Sequence, residues 1–170
     1  MNQALRGLVW LAFVLGAVLA GAQSNSDKAA ATDKPAAAMA SALEHQIFDI
    51  LRNGDTLKFL SFVPEDGVNL GHDAQHTSRD AVVEQFTQRT GLYCKLFDSA
   101  CLSGTPHACS YRELLTQSEK VRTASTEATR NGVRQAIVVA QVENQKCGGA
   151  ALIDFIFNHQ KGGWKLFSIP

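Results

Sequence analysis

Apolar positions along the chain follow two rhythms. The first half carries helical spacing. Leu43, Ile47, Ile50 and Leu51 fall on one face, behind the capping-box pattern Ser41-Ala42-Leu43-Glu44, and Asn53-Gly54 is a usual C-terminal stop. Asp55 then caps a short helix predicted over 56–63 with Leu57, Leu60 and Val63 inward, and Pro64 ends it. Residues 67–71 read as a brief strand, followed by a polar loop over 72–77. Ser78 caps a third helix, with Asp80 in its first turn and Val82, Val83 and Phe86 as its stripe; Thr90-Gly91 terminates it. Leu92-Tyr93-Cys94-Lys95-Leu96-Phe97 reads as a strand. Ser110-Tyr111-Arg112-Glu113 is a second capping box, opening a short helix through Leu115.

The second half switches to strand rhythm. Residues 121–130 alternate loosely. Asn131-Gly132 is a strong hairpin signal, because a type I′ turn needs positive φ at both central positions. A strand over 133–144 follows, centred on Ala136-Ile137-Val138-Val139-Ala140, then a turn at Lys146-Cys147-Gly148-Gly149. In the next strand, 151–158, Ala151, Ile153, Phe155 and Phe157 make one apolar face; Lys161-Gly162-Gly163 turns again and Trp164 to Ile169 closes a four-strand meander. Helices first and a meander last define an α+β fold, with N-terminal helices packed on a curved antiparallel sheet.

The N-terminus changes the compartment. Arg6 precedes an apolar run of 13 residues, Gly7 to Leu19, and Ala20-Gly21-Ala22 supplies the small residues of a cleavage site, so residues 1–22 read as a signal peptide cut before Gln23. The run is too short for a retained membrane anchor, and no cysteine stands directly after the small-residue motif to carry a lipid. Residues 23–40, rich in alanine and small polar groups, read as a disordered linker. An alanine-rich helix is the alternative, against which Pro35 and the scattered polar residues argue. Residues 41–170 then form a single α+β domain. Without Arg6 the chain has 15 basic against 16 acidic side chains, which leaves no footprint for nucleic acid and no polybasic patch for membranes.

Two segments carry a family likeness. Ser78-Arg79-Asp80-Ala81-Val82-Val83-Glu84-Gln85-Phe86 resembles the helix that nuclear transport factor 2-like proteins place after their first hairpin. The ending from Leu152-Ile153-Asp154-Phe155 to Gly162-Gly163-Trp164-Lys165-Leu166 resembles their last two strands. The resemblance implies a cone-shaped α+β fold with a pocket between the concave sheet and the helices. The superfamily hosts isomerases, dehydratases, hydrolases, binding modules and transport adaptors, so it implies little about activity.

Candidate chemistry is sparse. Cys94, Cys101, Cys109 and Cys147 all follow the signal peptide, and an even count in an oxidising compartment reads as two disulfides. Of three pairings, Cys94–Cys109 with Cys101–Cys147 is favoured for its longer closure. No Cys-x-x-Cys argues for redox work, and the cysteine spacing does not suit zinc. His72 and His76 are four apart with Asp73 between, but in a loop that spacing guarantees nothing. His45 reads as exposed, and His107 and His159 receive no role. Asp154 interrupts an apolar strand, on the face opposite Ile153, Phe155 and Phe157 and together with Asn158 and Gln141. Lining the cone, it would be a desolvated general base; on the outer face, it would pair with a neighbour such as Lys165, and the outer reading is preferred. Tyr93 and Tyr111 flank the cysteine loop. No phosphate loop, nucleophile elbow, calcium loop or zinc-protease motif is present, and no cofactor or metal is implied.

These readings predict a secreted or periplasmic, non-catalytic domain that binds a small apolar ligand or a cell-envelope protein. The alternative is an isomerase- or cyclase-type enzyme of the kind the resemblance allows, with Asp154 as base and Tyr93 as oxyanion donor. A homodimer is a third reading, built on Val138, Ala140 and Val142 or on Ile137 and Val139, because the meander is apolar on both faces at its centre.

Overall fold

The computed structural model describes the backbone of residues 26–71, 73–102 and 108–169, and side chains from residue 38 on. The expected signal peptide, its cleavage site, His72 and His107 lie outside the described residues. Helix α1 spans Ser26–Asn53 without a break. Ser41 therefore sits inside a helix and does not cap one, and residues 26–40, expected as a linker, belong to the same helix. Alanine has the highest helix propensity, and here it prevails over the proline signal. Ala40, Leu43, Ile47, Phe48, Ile50 and Leu51 form the buried stripe of α1.

Asp55 caps α2 (Thr56–Phe62) through the Lys58 amide. Phe59 and Phe62 are its buried residues, whereas Leu57, expected inward, is 79% exposed. The large rings take the core side and leave the smaller leucine outside. Ser78 caps α3 (Arg79–Gln88), and Val82 and Phe86 are buried as expected, while Val83 stays partly exposed.

Leu92–Phe97 forms a helix, α4, where alternation suggested a strand. One helical turn brings Leu92 over Leu96 and Tyr93 over Phe97, so helical spacing buries more of this segment than a two-fold face would. After it, Ser99–Cys101 makes one 3₁₀ turn, and α5 (Tyr111–Gln117) opens on a complete capping box between Ser110 and Glu113.

The meander is β3 (Lys120–Arg130), β4 (Val133–Asn144), β5 (Gly149–Gln160) and β6 (Gly163–Ile169), all antiparallel neighbours. Asn131 and Gly132 have φ of 51° and 76°, as a type I′ turn requires. Two short strands extend it. β1 (Val68–Leu70) runs parallel to β6, and β2 (Gln75–Thr77) runs antiparallel to β1, giving the order β2-β1-β6-β5-β4-β3 and a mixed sheet. β2 was expected to be loop. Its residues carry no apolar alternation, and its place is set by pairing with β1, where Val68 faces Thr77. That approach needs glycine at 67: φ is +95°, and a side chain would collide with the Thr77 carbonyl.

The helices cover one face of the sheet. Ile153, Phe155 and Phe157 meet Ala136, Val138, Ala140 and Val142 beneath them, all at most 1% exposed. The Phe59 ring lies 5.7 Å from Phe86, 5.9 Å from Phe97 and 6.3 Å from Phe155. Burying a ring such as Phe155 stabilises the fold by roughly 2–3 kcal/mol. The space between sheet and helices is thus occupied by the core. Val138, Ala140 and Val142 belong to it and offer no surface for a homodimer.

The disulfides join Cys94 to Cys101 and Cys109 to Cys147, with Cα atoms 5.5 Å apart in each pair. This corrects the expected pairing. With residues 92–97 helical, Cys94 is buried in α4 and the 3₁₀ turn folds Cys101 back onto it. Cys109, just ahead of α5, meets Cys147 in the 3₁₀ turn between β4 and β5.

Candidate functional site

The outer face of the meander follows from strand parity. Opposite the core residues, β4 presents Gln135, Ile137, Val139 and Gln141, and β5 presents Leu152, Asp154, Ile156 and Asn158. The Gln135 amide donates to Asn158 Oδ1 at 2.9 Å, so these two side chains meet on that face. Ile137 lies directly opposite Ile156, and Val139 opposite Asp154. Leu152 is 56% exposed, and Phe167, carried out of register by the bulge in β6, is 39% exposed. No described element covers this face.

Asp154 is half-buried there, in the position the sequence preferred. Lys165 is not its partner: Lys165 lies opposite Asn158, and its Nζ donates to the Ser61 carbonyl at 2.7 Å. The last residue of β5 paired with β6 on this side is Ile156, so Asp154 lies beyond the paired stretch of that edge. Its charge acts on two groups from the helical layer. Tyr111, buried and edge-on to Phe155 at 6.0 Å, has its phenol pushed up to about 12, by burial first and by the Asp154 charge second. Lys95 is lowered by burial, which the Asp154 charge partly opposes, and its Nζ lies 5.4 Å from the Tyr111 ring centroid. Tyr111 and Lys95 thus meet on the helical side, with Asp154 on the opposite face of the sheet.

Tyr93 is elsewhere. Its ring packs on Phe86 at 6.0 Å and Phe97 at 5.8 Å, and it lines a surface cleft with Arg52 and Arg112, of which Asp154 is not a lining residue. The pairing of Asp154 with Tyr93 as base and oxyanion donor is not assembled. Asp73 and His76 are exposed, the latter on β2, and His45 is exposed on α1. His159 is also exposed, with its ring 5.1 Å from Trp164. Among the described residues, no three His, Cys, Asp or Glu side chains gather as a metal site. Nor is any helix among them long and apolar enough to cross a membrane. The two disulfides suit a domain of an oxidising compartment.

Sequence reasoning missed Lys95, Arg52 and Arg112. Reading residues 92–97 as a strand hid the placement of Lys95 against Tyr111. Arg112 lies inside the second capping box, whose signal is carried by Ser110 and Glu113. The chain matches no protein-family model, no curated protein and no solved structure.

Proposed function

We propose that this chain is a secreted or periplasmic, non-catalytic interaction domain that binds a cell-envelope protein through the outer face of its meander. We also read the helices-then-meander order as the nuclear transport factor 2-like plan. The observation that carries the proposal is the outer apolar row: exposed Leu152 and Phe167 flank Ile156, Ile137 and Val139, and the helices lie on the other face. Sheets apolar on both faces are normally covered on both. The interior of the described residues is packed with side chains, which favours a protein partner over a small apolar ligand.

The test is site-specific photo-crosslinking in the native compartment, with a benzophenone amino acid at Leu152 and, as control, at Leu57 on the helical side. A discrete heterologous adduct at 152, absent at 57 and lost on Phe167→Glu, is the expected result. An adduct of twice the chain mass would replace the partner with a second copy. Equal labelling at both positions would discard the face as an interface.

The isomerase or cyclase reading has less support, because Asp154 lies on the face of the sheet opposite Tyr111 and Lys95. Asp154→Asn separates the two readings, since it abolishes carboxylate-dependent turnover but leaves the apolar row intact.

A further inference from the structure

The cleft lined by Tyr93 lies apart from the outer face of the meander. It has a volume of about 530 Å³ and lies where the C-terminal end of α1 meets α4 and α5. Ligand sites of roughly 300–1,000 Å³ hold small organic molecules. Two guanidinium groups, Arg52 and Arg112, and two carboxylates, Asp98 and Glu113, face it, so its formal charge is balanced.

The hydrogen bonds unbalance it. Glu113 Oε2 accepts from the Ser110 amide at 2.7 Å and the Ser110 hydroxyl at 2.9 Å, and Oε1 accepts from the Ser99 hydroxyl at 2.7 Å. Asp98 Oδ1 accepts from the Ala100 amide at 3.0 Å. Both acids are therefore engaged in holding the backbone around α5 and the 3₁₀ turn. The arginines keep their donors. Arg112 uses Nε on the Arg52 carbonyl at 3.3 Å, and its two terminal nitrogens have no hydrogen-bond partner among the described residues. Arg52 gives one terminal nitrogen to Asp49 at 3.2 Å and keeps the other and Nε. The bond to the Arg52 carbonyl also fixes the Arg112 side chain at the end of α1, against Gly54, where a Cβ would come within 3.2 Å of the Arg112 guanidinium. The lining also includes the half-buried Tyr93 and, beneath it, Phe97, a core ring only 5% exposed, with centroids 5.8 Å apart and planes 35° apart.

We propose that this cleft binds a small aromatic carboxylate, with its carboxylate held by Arg112 and Arg52 and its ring against Tyr93. Guanidinium forks match a planar carboxylate in geometry, and the Tyr93 ring offers an aromatic contact for a ligand ring. The two acidic side chains that also line the cleft disfavour a dianion such as phosphate and leave a monoanion as the better match. The inference is independent of the sheet-face interface, which lies across the sheet.

The experiment is titration of the full mature chain, by calorimetry and by amide NMR shifts, with 3-phenylpropanoate, its neutral amide and inorganic phosphate. Saturable binding of the carboxylate, with shifts centred on residues 93, 97 and 112, is expected. The amide binds at least about tenfold more weakly, because a hydrogen bond to a charged group is lost. Arg112→Gln weakens the carboxylate by roughly tenfold to a hundredfold. Arg52→Gln, which removes only an exposed ion pair and so keeps the fold, weakens it about tenfold. Equal affinity for acid and amide, displacement of the carboxylate by equimolar phosphate, wild-type affinity in Arg52→Gln, or no saturation up to the solubility limit of the probe would each overturn the proposal.

Discussion

Removing the two disulfides one at a time tests the pairing and the physics behind it together. Cys109–Cys147 closes a loop with a sequence separation of 38, and Cys94–Cys101 one of 7. In the loop-closure model the longer bridge stabilises by about 4 kcal/mol and the shorter by about 2.5 kcal/mol, through the unfolded chain. Cys94 is 1% exposed, so its replacement also opens a gap in the core and would blur a direct comparison of variants. A cleaner reading uses each double variant as its own reference. In Cys94→Ala/Cys101→Ala, the stability difference between oxidised protein and protein with a phosphine reductant reports Cys109–Cys147 alone. In Cys109→Ala/Cys147→Ala, the same difference reports Cys94–Cys101. Guanidinium unfolding followed by tryptophan fluorescence measures both. The expected order is the larger loss for Cys109–Cys147, by about 1.5 kcal/mol. Equal losses, or a larger loss for the short loop, would refute the loop-closure argument. A non-reducing peptide map joining the Cys94 peptide to the Cys109 peptide would refute the pairing itself.

Four further outcomes follow from the geometry. Of the two tyrosines, Tyr111 ionises near 12, and because its folded value is raised above the unfolded 10, its contribution is full below pH 10 and lost as pH climbs toward 12. Near-UV phenolate absorbance should show a late step worth on the order of 3 kcal/mol of linkage, absent in Tyr111→Phe. For Glu113, burial opposes ionisation, but hydrogen bonds from Ser110 and Ser99 outweigh it and hold the carboxyl below its ordinary value. Its stabilisation is present above the unfolded pKa near 4.5 and fades as pH falls through the folded one, so Glu113→Gln loses about 1 kcal/mol at neutral pH and the gap closes in acid urea melts. Phe155→Ala should cost about 3–5 kcal/mol in denaturant unfolding; a loss below about 1 kcal/mol would mean that Phe155 is not in a packed core. Gly67→Ala combines a positive φ with a collision at the Thr77 carbonyl, and should lower stability by roughly 2 kcal/mol and raise amide exchange in β1 and β2.

Several elements were legible because their signals are local. Ser78 and Ser110 cap helices where their spacing said they would, since a side chain needs only its own next turn to satisfy an orphan amide. Asn131-Gly132 set the β3–β4 turn and, with it, the register of the long hairpin. The Ile153, Phe155 and Phe157 alternation located the buried face of β5, which placed Asp154, Asn158 and Gln141 on the other. Where local signals conflicted, the reading failed. Ser41 satisfied a capping box in sequence, yet alanine propensity carries the helix back to Ser26. Residues 92–97 fit both periods, and six residues are too few for periodicity to choose between them. Leu57 and Phe59 stood on competing stripes of α2, and the choice went to the ring that could reach the phenylalanine cluster.

The sequence by itself determined the α+β class, the four-strand meander, most helix starts and the presence of four cysteines with no metal or redox motif, because each rests on contacts between residues near in the chain. Tertiary structure alone decided which cysteines meet, since pairing depends on where α4 and the β4–β5 turn lie in space. It alone added β1 and β2, whose pairing crosses from residue 69 to residue 168. It alone filled the space beneath the sheet with aromatic rings and left the opposite face partly exposed among the described residues. The cleft at Arg52 and Arg112 has the same origin: sixty residues separate its two guanidinium groups, and only the docking of α5 against the end of α1 brings them to one rim.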